Sequence, residues 1–354
     1  MKYLDFRSDT LTMPGDRMRA RMAEAPVGDD YYHEDPTIRA LEDHAAELMG
    51  KEAALFVLSG TMGNLVSIRA QVPPGSAAIV SASSHLYLNE TGHMASICGL
   101  TSHPMATPAG RFALDALDAQ VPPPDPRPSV LNPRPRLVCV ENTHNGEGGR
   151  VLPVEYLTSL RSLADARQMV LHMDGARVFN AAVALGCPPA AVAAPVHSVS
   201  FCLSKGLGAP GGAIVAAARD IVDEARHWRQ MVGGGMRQAG ILAAAGLMAL
   251  QENIADLGRD HDNARRLASG LIEAGLEVDL AKVETNIVMA YVPATFGAPA
   301  DVHARMKAAG IATLPPKGNR LRFVTHRDLS APDIDLAVER MLQMTKSCKR
   351  AEHV

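Results

Sequence analysis

Ser198-Val199-Ser200-Phe201-Cys202-Leu203-Ser204-Lys205-Gly206-Leu207-Gly208 sets a short apolar run directly before a lysine and a glycine-rich turn. Such a run, bounded by a turn signal, reads as a strand buried on both faces. Most lysines are solvated surface charges. One fixed to the end of a buried strand aims its amine at whatever binds beyond the sheet edge. Outward from this stretch, similar runs lie at Ala53 to Leu58, Ala77 to Val80, Leu137 to Val140 and Met169 to Met173. Helical stretches separate several of them, for example Val154 to Arg167. Asp35-Pro36 opens another helix, with Ile38, Leu41, Ala45 and Leu48 on one face and Gly50 past its end. This alternation predicts an α/β fold with a mainly parallel sheet and helices on both faces. In such sheets ligands bind beyond the C-terminal strand ends.

The pattern changes after about Gln251. A helical segment, Ile254 to Ala274, leads to strand candidates at Thr285 to Val292 and Leu321 to Thr325. Helical stretches at Asp301 to Ala309 and Ala331 to Met344 accompany them. The expected organisation is a large domain over 1–252 and a smaller α+β domain over 253–354. Val121 to Pro135 is proline-rich and reads as an extended surface connection.

Composition narrows the function classes. The chain has 354 residues, 47% hydrophobic and 4% aromatic, so its core is built mainly from aliphatic side chains. Lys and Arg number 35 against 38 Asp and Glu, a net charge of −3, without the basic footprint of a nucleic-acid binder. The longest apolar stretch, Gly240 to Leu250, falls well short of the roughly 18–20 residues that cross a bilayer. Lys2, Asp5, Arg7 and Asp9 break any secretory apolar region. The cysteines are five and scattered, as expected for reduced thiols in a cytoplasmic protein.

Three strand ends carry chemistry. After Ala53 to Leu58 comes Ser59-Gly60-Thr61-Met62-Gly63-Asn64, then a helical run; free N–H groups at a helix start can bind phosphate. After Met169 to Met173 comes Asp174-Gly175-Ala176-Arg177, a carboxylate at a strand end. An Asp174–Arg177 surface ion pair is the plain alternative there. His172 and Asp174 share a face of their strand, but no third ligand is evident, so no metal site is expected. Lys205 follows 31 residues after Asp174. A phosphate cradle, a carboxylate and a lysine are the parts a pyridoxal 5′-phosphate enzyme needs. The lysine forms the Schiff base, and the aspartate keeps the pyridine nitrogen protonated.

At this point the sequence resembles the low-specificity L-threonine aldolases, pyridoxal-phosphate enzymes of the aspartate-aminotransferase-like fold (fold type I). The matching stretches include Asp5-Phe6-Arg7-Ser8-Asp9-Thr10, Glu34-Asp35-Pro36-Thr37, Ser59 to Asn64, Glu141-Asn142-Thr143-His144-Asn145, Asp174 to Asn180, Cys202 to Pro210, Gly233 to Gly240 and Leu321 to His326. They span nearly the whole chain in order. The resemblance implies that Lys205 bonds the cofactor, Asp174 meets its ring nitrogen and His85 stacks on its ring near the substrate hydroxyl. Ser59, Gly60 and Thr61 would bind the phosphate. Ser8, Arg177 and Arg322 would grip the substrate carboxylate. Arg237 would reach a phosphate, that of a neighbouring subunit, in a homo-oligomer expected to be a tetramer with sites between subunits. The implied reaction is retro-aldol cleavage of a β-hydroxy-α-amino acid to glycine and an aldehyde, with His85 as the base, directly or through water.

Some positions depart from the family pattern. Leu131 and Asn89 stand where a histidine and an aromatic residue are common. The loop Asp29-Asp30-Tyr31-Tyr32-His33-Glu34 carries an unusual Tyr31 and His33. Tyr32 and His33 are therefore candidate substrate contacts, the plain alternative for His33 being a solvent-facing ring. The departures leave open a phenylserine or α-substituted serine substrate, or a β-eliminating or racemase activity on the same Lys205 and Asp174.

Overall fold

The structure, a computed structural model, describes residues 2–123 and 130–351. Its strands in chain order are β1 (Leu4–Asp5), β2 (Ala53–Val57), β3 (Ala77–Ser81), β4 (Thr101–Met105), β5 (Pro135–Glu141) and β6 (Val170–Asp174). They continue with β7 (Ser198–Cys202), β8 (Ala213–Ala217), β9 (Ile287–Tyr291), β10 (Ile311–Ala312) and β11 (Arg320–Val324). Seven form one sheet in the order β2-β8-β7-β6-β5-β3-β4. The pairs β3–β4, β3–β5, β5–β6 and β6–β7 are parallel, and only β8 runs against the others. All the expected large-domain strands are present.

The sheet is buried on both faces because its residues alternate between two cores. Ala54, Phe56, Ile79, Val138, Val140, Ile214 and Ala216 enter one core. Ala53, Leu55, Val57, Ala78, Val80, Leu137, Cys139, Ala213 and Val215 enter the other. Both faces take apolar side chains, so each strand reads as an unbroken apolar run. The helix Pro36–Met49 forms as its capping signals require. Asp35 accepts from the N–H groups of Thr37 and Ile38, and Gly50 ends it in the left-handed region at φ 61°.

Two strands of the large sheet have no clear signal in the sequence. β8 is alanine-rich and turns back after β7 over the Ser204 to Gly211 turn, with Leu203 N–H donating to the Gly212 carbonyl at 3.0 Å. A connection this short can only join antiparallel neighbours. β4, Thr-Ser-His-Pro-Met, is a largely exposed edge strand and therefore lacks an apolar run. The proline-rich stretch is described only in part; 124–129 lie outside the described residues.

A third core gathers Ala264, Leu267, Leu271, Leu276, Val288, Ala290, Leu321, Phe323 and Met341 with two residues from the start of the chain, Leu4 and Phe6. β9 and β11 pair antiparallel there. β1 pairs parallel with β10, and Phe6 bridges from β10 to β11, its N–H donating to Ala312 and its carbonyl accepting from Val324. The segment threaded this way delivers Arg7, Ser8 and Asp9 to the edge of the large sheet.

Candidate active site

Since β2, β3, β5, β6 and β7 run in one direction, their C-terminal ends lie along one edge. That edge collects Ser59, Gly60 and Thr61 after β2, His85 after β3, Glu141 at the end of β5, Asp174 at the end of β6 and Lys205 after β7. Six sequence-predicted residues thus converge because of strand direction alone.

The helix Gly60–Gln71 starts here. Ser59 caps it, its hydroxyl accepting from Met62 N–H and its carbonyl from Gly63 N–H. Among the described residues the N–H groups of Gly60 and Thr61 have no hydrogen-bond partner, and a helix start of this kind can take an anion. Gly60 and Gly63 are required for close packing. A β-carbon on Gly60 would sit 2.8 Å from Cys202 Sγ, and one on Gly63 would sit 2.3 Å from Ser200 Oγ. Gly63 therefore serves the approach of this helix to β7, not contact with a phosphate.

Asp174 is buried. Its Oδ1 accepts from Ala176 N–H (3.1 Å) and its Oδ2 from Asn64 Nδ2 (3.2 Å). Burial, with Glu141 and Glu90 nearby, pushes its carboxyl up to about 6, while Lys205 and His85 pull it down. A buried carboxylate with this bias invites a cation beside it. His85, half-buried, donates its backbone N–H to Glu141 Oε2 (2.7 Å) and shares a 2.9 Å hydrogen bond between Nδ1 and Glu90 Oε1. That bond raises the imidazole above its ordinary range. Glu90 also holds His93 Nε2 at 2.7 Å, and the two imidazoles draw its carboxyl down to about 2 against the burial that opposes this.

Glu90, Asn64 and Asp9 are site residues the sequence reading missed. Glu90 and Asn64 sit inside helical or turn stretches with no local mark. Asp9 is joined to its partner only by the fold. Its two oxygens accept from Arg177 Nε and Nη2, each at 2.6 Å, with both side chains buried. Arg177 is thus in a buried fork with Asp9, not in a surface pair with Asp174, and its Nη1 remains for another acceptor. Arg177 and Lys205 hold the Asp9 carboxyl far below the usual range despite its burial.

Arg322, on β11, donates from Nη1 to Asn145 Oδ1 (2.6 Å) and from Nη2 to the Arg7 carbonyl (3.0 Å). Both partners are neutral, and among the described residues no carboxylate forms an ion pair with it. Burial and the neighbouring Arg177 cation lower its pKa. Two guanidinium groups near enough to act on each other, one of them without a carboxylate partner among the described residues, can make a socket for a carboxylate. Ser8, beside Asp9, lies at the same end of the N-terminal segment, its Oγ accepting from Thr10 N–H at 3.2 Å.

His85, Glu90 and Asp174 bring possible metal-ligand atoms within 4.8 Å of one another. His172 engages both ring nitrogens with Ser198 and Asn64, leaving neither for a metal.

Tyr32, His33 and Arg237 lie elsewhere. Tyr31, His33 and Arg237 line a separate cleft with Asp30, Arg226 and Arg229, which includes none of Lys205, Asp174 or His85. Tyr31 and Tyr32 are exposed and meet edge to face, and the Arg237 guanidinium stands 4.9 Å over the Tyr31 ring. His33 is exposed and ends a short helical turn in the left-handed region, at φ 58°. Leu131 is 87% exposed.

The residues at the strand edge fit pyridoxal phosphate. Two unpartnered helix-start N–H groups suit its phosphate, Lys205 suits its aldehyde and buried Asp174 suits a protonated ring nitrogen. The chain is also similar to known proteins. The beta-eliminating lyase family model matches residues 5–295. The chain is 42% identical over 328 residues to the low specificity L-threonine aldolase of Escherichia coli K12, covering 92% of this chain and 95% of that protein. It is 41% identical over 340 residues to low-specificity L-threonine aldolase 1 of Arabidopsis thaliana, covering 94% of each. The fold matches that of a threonine aldolase structure from Leishmania major with a TM-score of 0.80 at 18% identity, over 98% of this chain and 99% of that one.

Proposed function

This chain belongs to the beta-eliminating lyase family, and we propose that it cleaves a β-hydroxy-α-amino acid of the L-threonine or L-allo-threonine type to glycine and an aldehyde. The observation that carries this reading is the company Lys205 keeps. A buried aspartate shares its strand edge, with Arg177 one turn beyond it, and Arg322 on β11 has no carboxylate partner among the described residues. When bound, pyridoxal phosphate supplies the electron sink for breaking a bond at the substrate α-carbon.

The chain's own residues do the rest. The N–H groups of Gly60 and Thr61 hold the phosphate, with Ser59 fixing the helix start. Lys205 supplies the amine that holds the cofactor. Asp174 accepts a hydrogen bond from the protonated ring nitrogen and so keeps the ring electrophilic. Arg322, Arg177 through Nη1, and Ser8 hold the substrate carboxylate, which fixes the direction of the Cα–Cβ bond. His85 is the residue for the β-hydroxyl proton. Its Nδ1 is committed to Glu90, so Nε2 is the atom that takes that proton, directly or through one water.

In this proposal Arg237 reaches the phosphate of a site in a second copy of the chain, Tyr32 is a candidate substrate contact, and His33 is a solvent-facing ring unless substitution there changes substrate selectivity. The assembly is a homo-oligomer, a tetramer by the family resemblance. Cys98, Cys139, Cys187 and Cys202 are unpaired, which supports a reducing, cytoplasmic location. No described helix is long and apolar enough to cross a membrane.

The test is product analysis of the pyridoxal-phosphate-loaded protein with L-threonine, L-allo-threonine and phenylserine. Glycine and the matching aldehyde in equal amounts are expected. A 2-oxo acid with ammonia, or inverted substrate, would replace aldol cleavage with elimination or racemisation.

A further inference from the structure

Asn64 lies one turn into the helix whose first N–H groups face the phosphate in the reading above. Its side chain is buried, and each of its polar atoms is used. Nδ2 donates to Glu90 Oε1 (2.9 Å) and to Asp174 Oδ2 (3.2 Å), and Oδ1 meets His172 Nε2 (3.1 Å). Two carboxylates on one side fix the sense of the amide, because only its NH2 group can face them. Oδ1 is therefore left for His172, which must carry its proton on Nε2. The other ring nitrogen, Nδ1, is then an acceptor, and it takes the hydroxyl of Ser198 at 2.8 Å. Ser198 Oγ in turn accepts from Gln71 Nε2 at 2.8 Å. Gln71 is seven residues beyond Asn64 on the same helix, two turns along and on the same face.

Donation thus runs one way, from Gln71 through Ser198, His172 and Asn64 to Asp174. A buried polar cluster that only satisfied its own groups would not need one proton order. This cluster has one, set at its end by two carboxylates. Aligned neutral hydrogen bonds in a low-dielectric interior polarise one another along the chain. Burial keeps His172 neutral, down to about 4, so the relay carries no charge of its own. It ends on Glu90 and on Asp174, and of these two Asp174 is the carboxylate that burial and like charges press toward protonation.

We propose that Gln71, Ser198, His172 and Asn64 form a proton-ordered relay that holds Asp174 oriented and ionised toward the ring nitrogen of pyridoxal phosphate. They are positioning residues, acting through Asp174. The phosphate contacts and the relay share one helix, so a single element sets both ends of the cofactor. This inference rests on the cofactor reading above.

The experiment compares equilibrium binding of pyridoxal phosphate and of its 1-deaza analogue, in which a ring C–H replaces the nitrogen, to the cofactor-free full chain. The variants are Asn64→Ala, Ser198→Ala, His172→Leu and His172→Gln, with Asp174→Asn as reference. Wild type should prefer pyridoxal phosphate, and Asp174→Asn should erase that preference. Asn64→Ala and His172→Leu should weaken pyridoxal phosphate by about tenfold or more, the value of a hydrogen bond to a charged group, while the deaza analogue binds as before. His172→Gln, which carries both a donor and an acceptor, should keep most of the preference. Ser198→Ala removes one hydroxyl and serves where His172→Leu fails to fold. Equal weakening of both ligands, no weakening of either, or His172→Gln behaving as His172→Leu would overturn the relay. A wild type, or an Asp174→Asn variant, showing no such dependence on the ring nitrogen would instead overturn the assignment of Asp174, and the relay with it.

Discussion

Two regions carry the residues singled out from the sequence, and they are built differently. The C-terminal strand edge holds Lys205, Asp174 and His85 together within one chain, walled by buried partners such as Glu90, Asn64 and the Asp9–Arg177 fork. The Asp29 to His33 loop and Arg237 form an exposed patch with its own cleft. Strand direction alone assembles the first. The second has no such scaffold, and its cleft includes none of Lys205, Asp174 or His85. Residues at strand ends are placed by the direction of the strands, whereas loop residues take their positions from local contacts that the sheet does not set.

The edge should be the more sensitive region. Asp174→Asn removes the charge facing the ring nitrogen, and kcat/KM should fall by at least about a hundredfold, measured at saturating cofactor. A loss under threefold would break the claim that the edge is catalytic. Asp9→Ala leaves the Arg177 guanidinium buried without its partner, and should cost about 3–5 kcal/mol of stability, read from denaturant unfolding of the cofactor-free protein. A change within error would mean that Arg177 is solvated and the fork does not hold.

A smaller effect concerns pH. His172 titrates at about 4 in the folded chain against 6.5 when free, so the folded state binds fewer protons over that range. Its contribution is complete above 6.5 and is lost as pH falls toward 4. Asp174 and Asp260, raised to about 6 and about 7 by burial and neighbouring carboxylates, act in the opposite direction. The net slope of the parent is therefore mixed, and the difference from His172→Gln is the readout. That variant should lose roughly 3 kcal/mol less than the parent between pH 6.5 and 4. Parallel curves would contradict a neutral, buried His172.

For the patch, Arg237→Ala should weaken cofactor binding about tenfold, the loss of one charge-assisted contact. Mixing it with Lys205→Ala under conditions that exchange subunits should restore activity, because one hybrid site then holds both native residues. At limiting pyridoxal phosphate, mixtures no more active than the Arg237→Ala protein alone would confine Arg237 to its own chain. The smallest effect is expected for His33→Gly. Glycine accepts φ 58° without strain, so stability should change by less than about 1 kcal/mol and rates on threonine, allo-threonine and phenylserine by less than about twofold. A selective loss on one of these would make His33 a substrate contact.

What was legible in the sequence follows the same division. Strands buried on both faces announce themselves as apolar runs, and Lys205 and Asp174 stand where two such runs end. β4 and β8 gave no comparable signal, the first because it is an exposed edge, the second because alanines satisfy a crowded sheet without looking strand-like. The Asp9–Arg177 fork joins residues 168 positions apart and depends on the N-terminal segment threading between β10 and β11. No local pattern encodes that. Asn64 and Glu90 are ordinary polar residues until the fold turns them inward. His172 suggested half of a metal pair, yet both its nitrogens are spent on hydrogen bonds.

The central claim is that Lys205 holds the cofactor at the strand edge, and reductive trapping tests it most directly. Borohydride treatment of the pyridoxal-phosphate-loaded protein, followed by peptide mass mapping, should place the reduced cofactor on Lys205, and Lys205→Ala should abolish the adduct. An adduct on another lysine, or an undiminished adduct in the variant, would contradict the account.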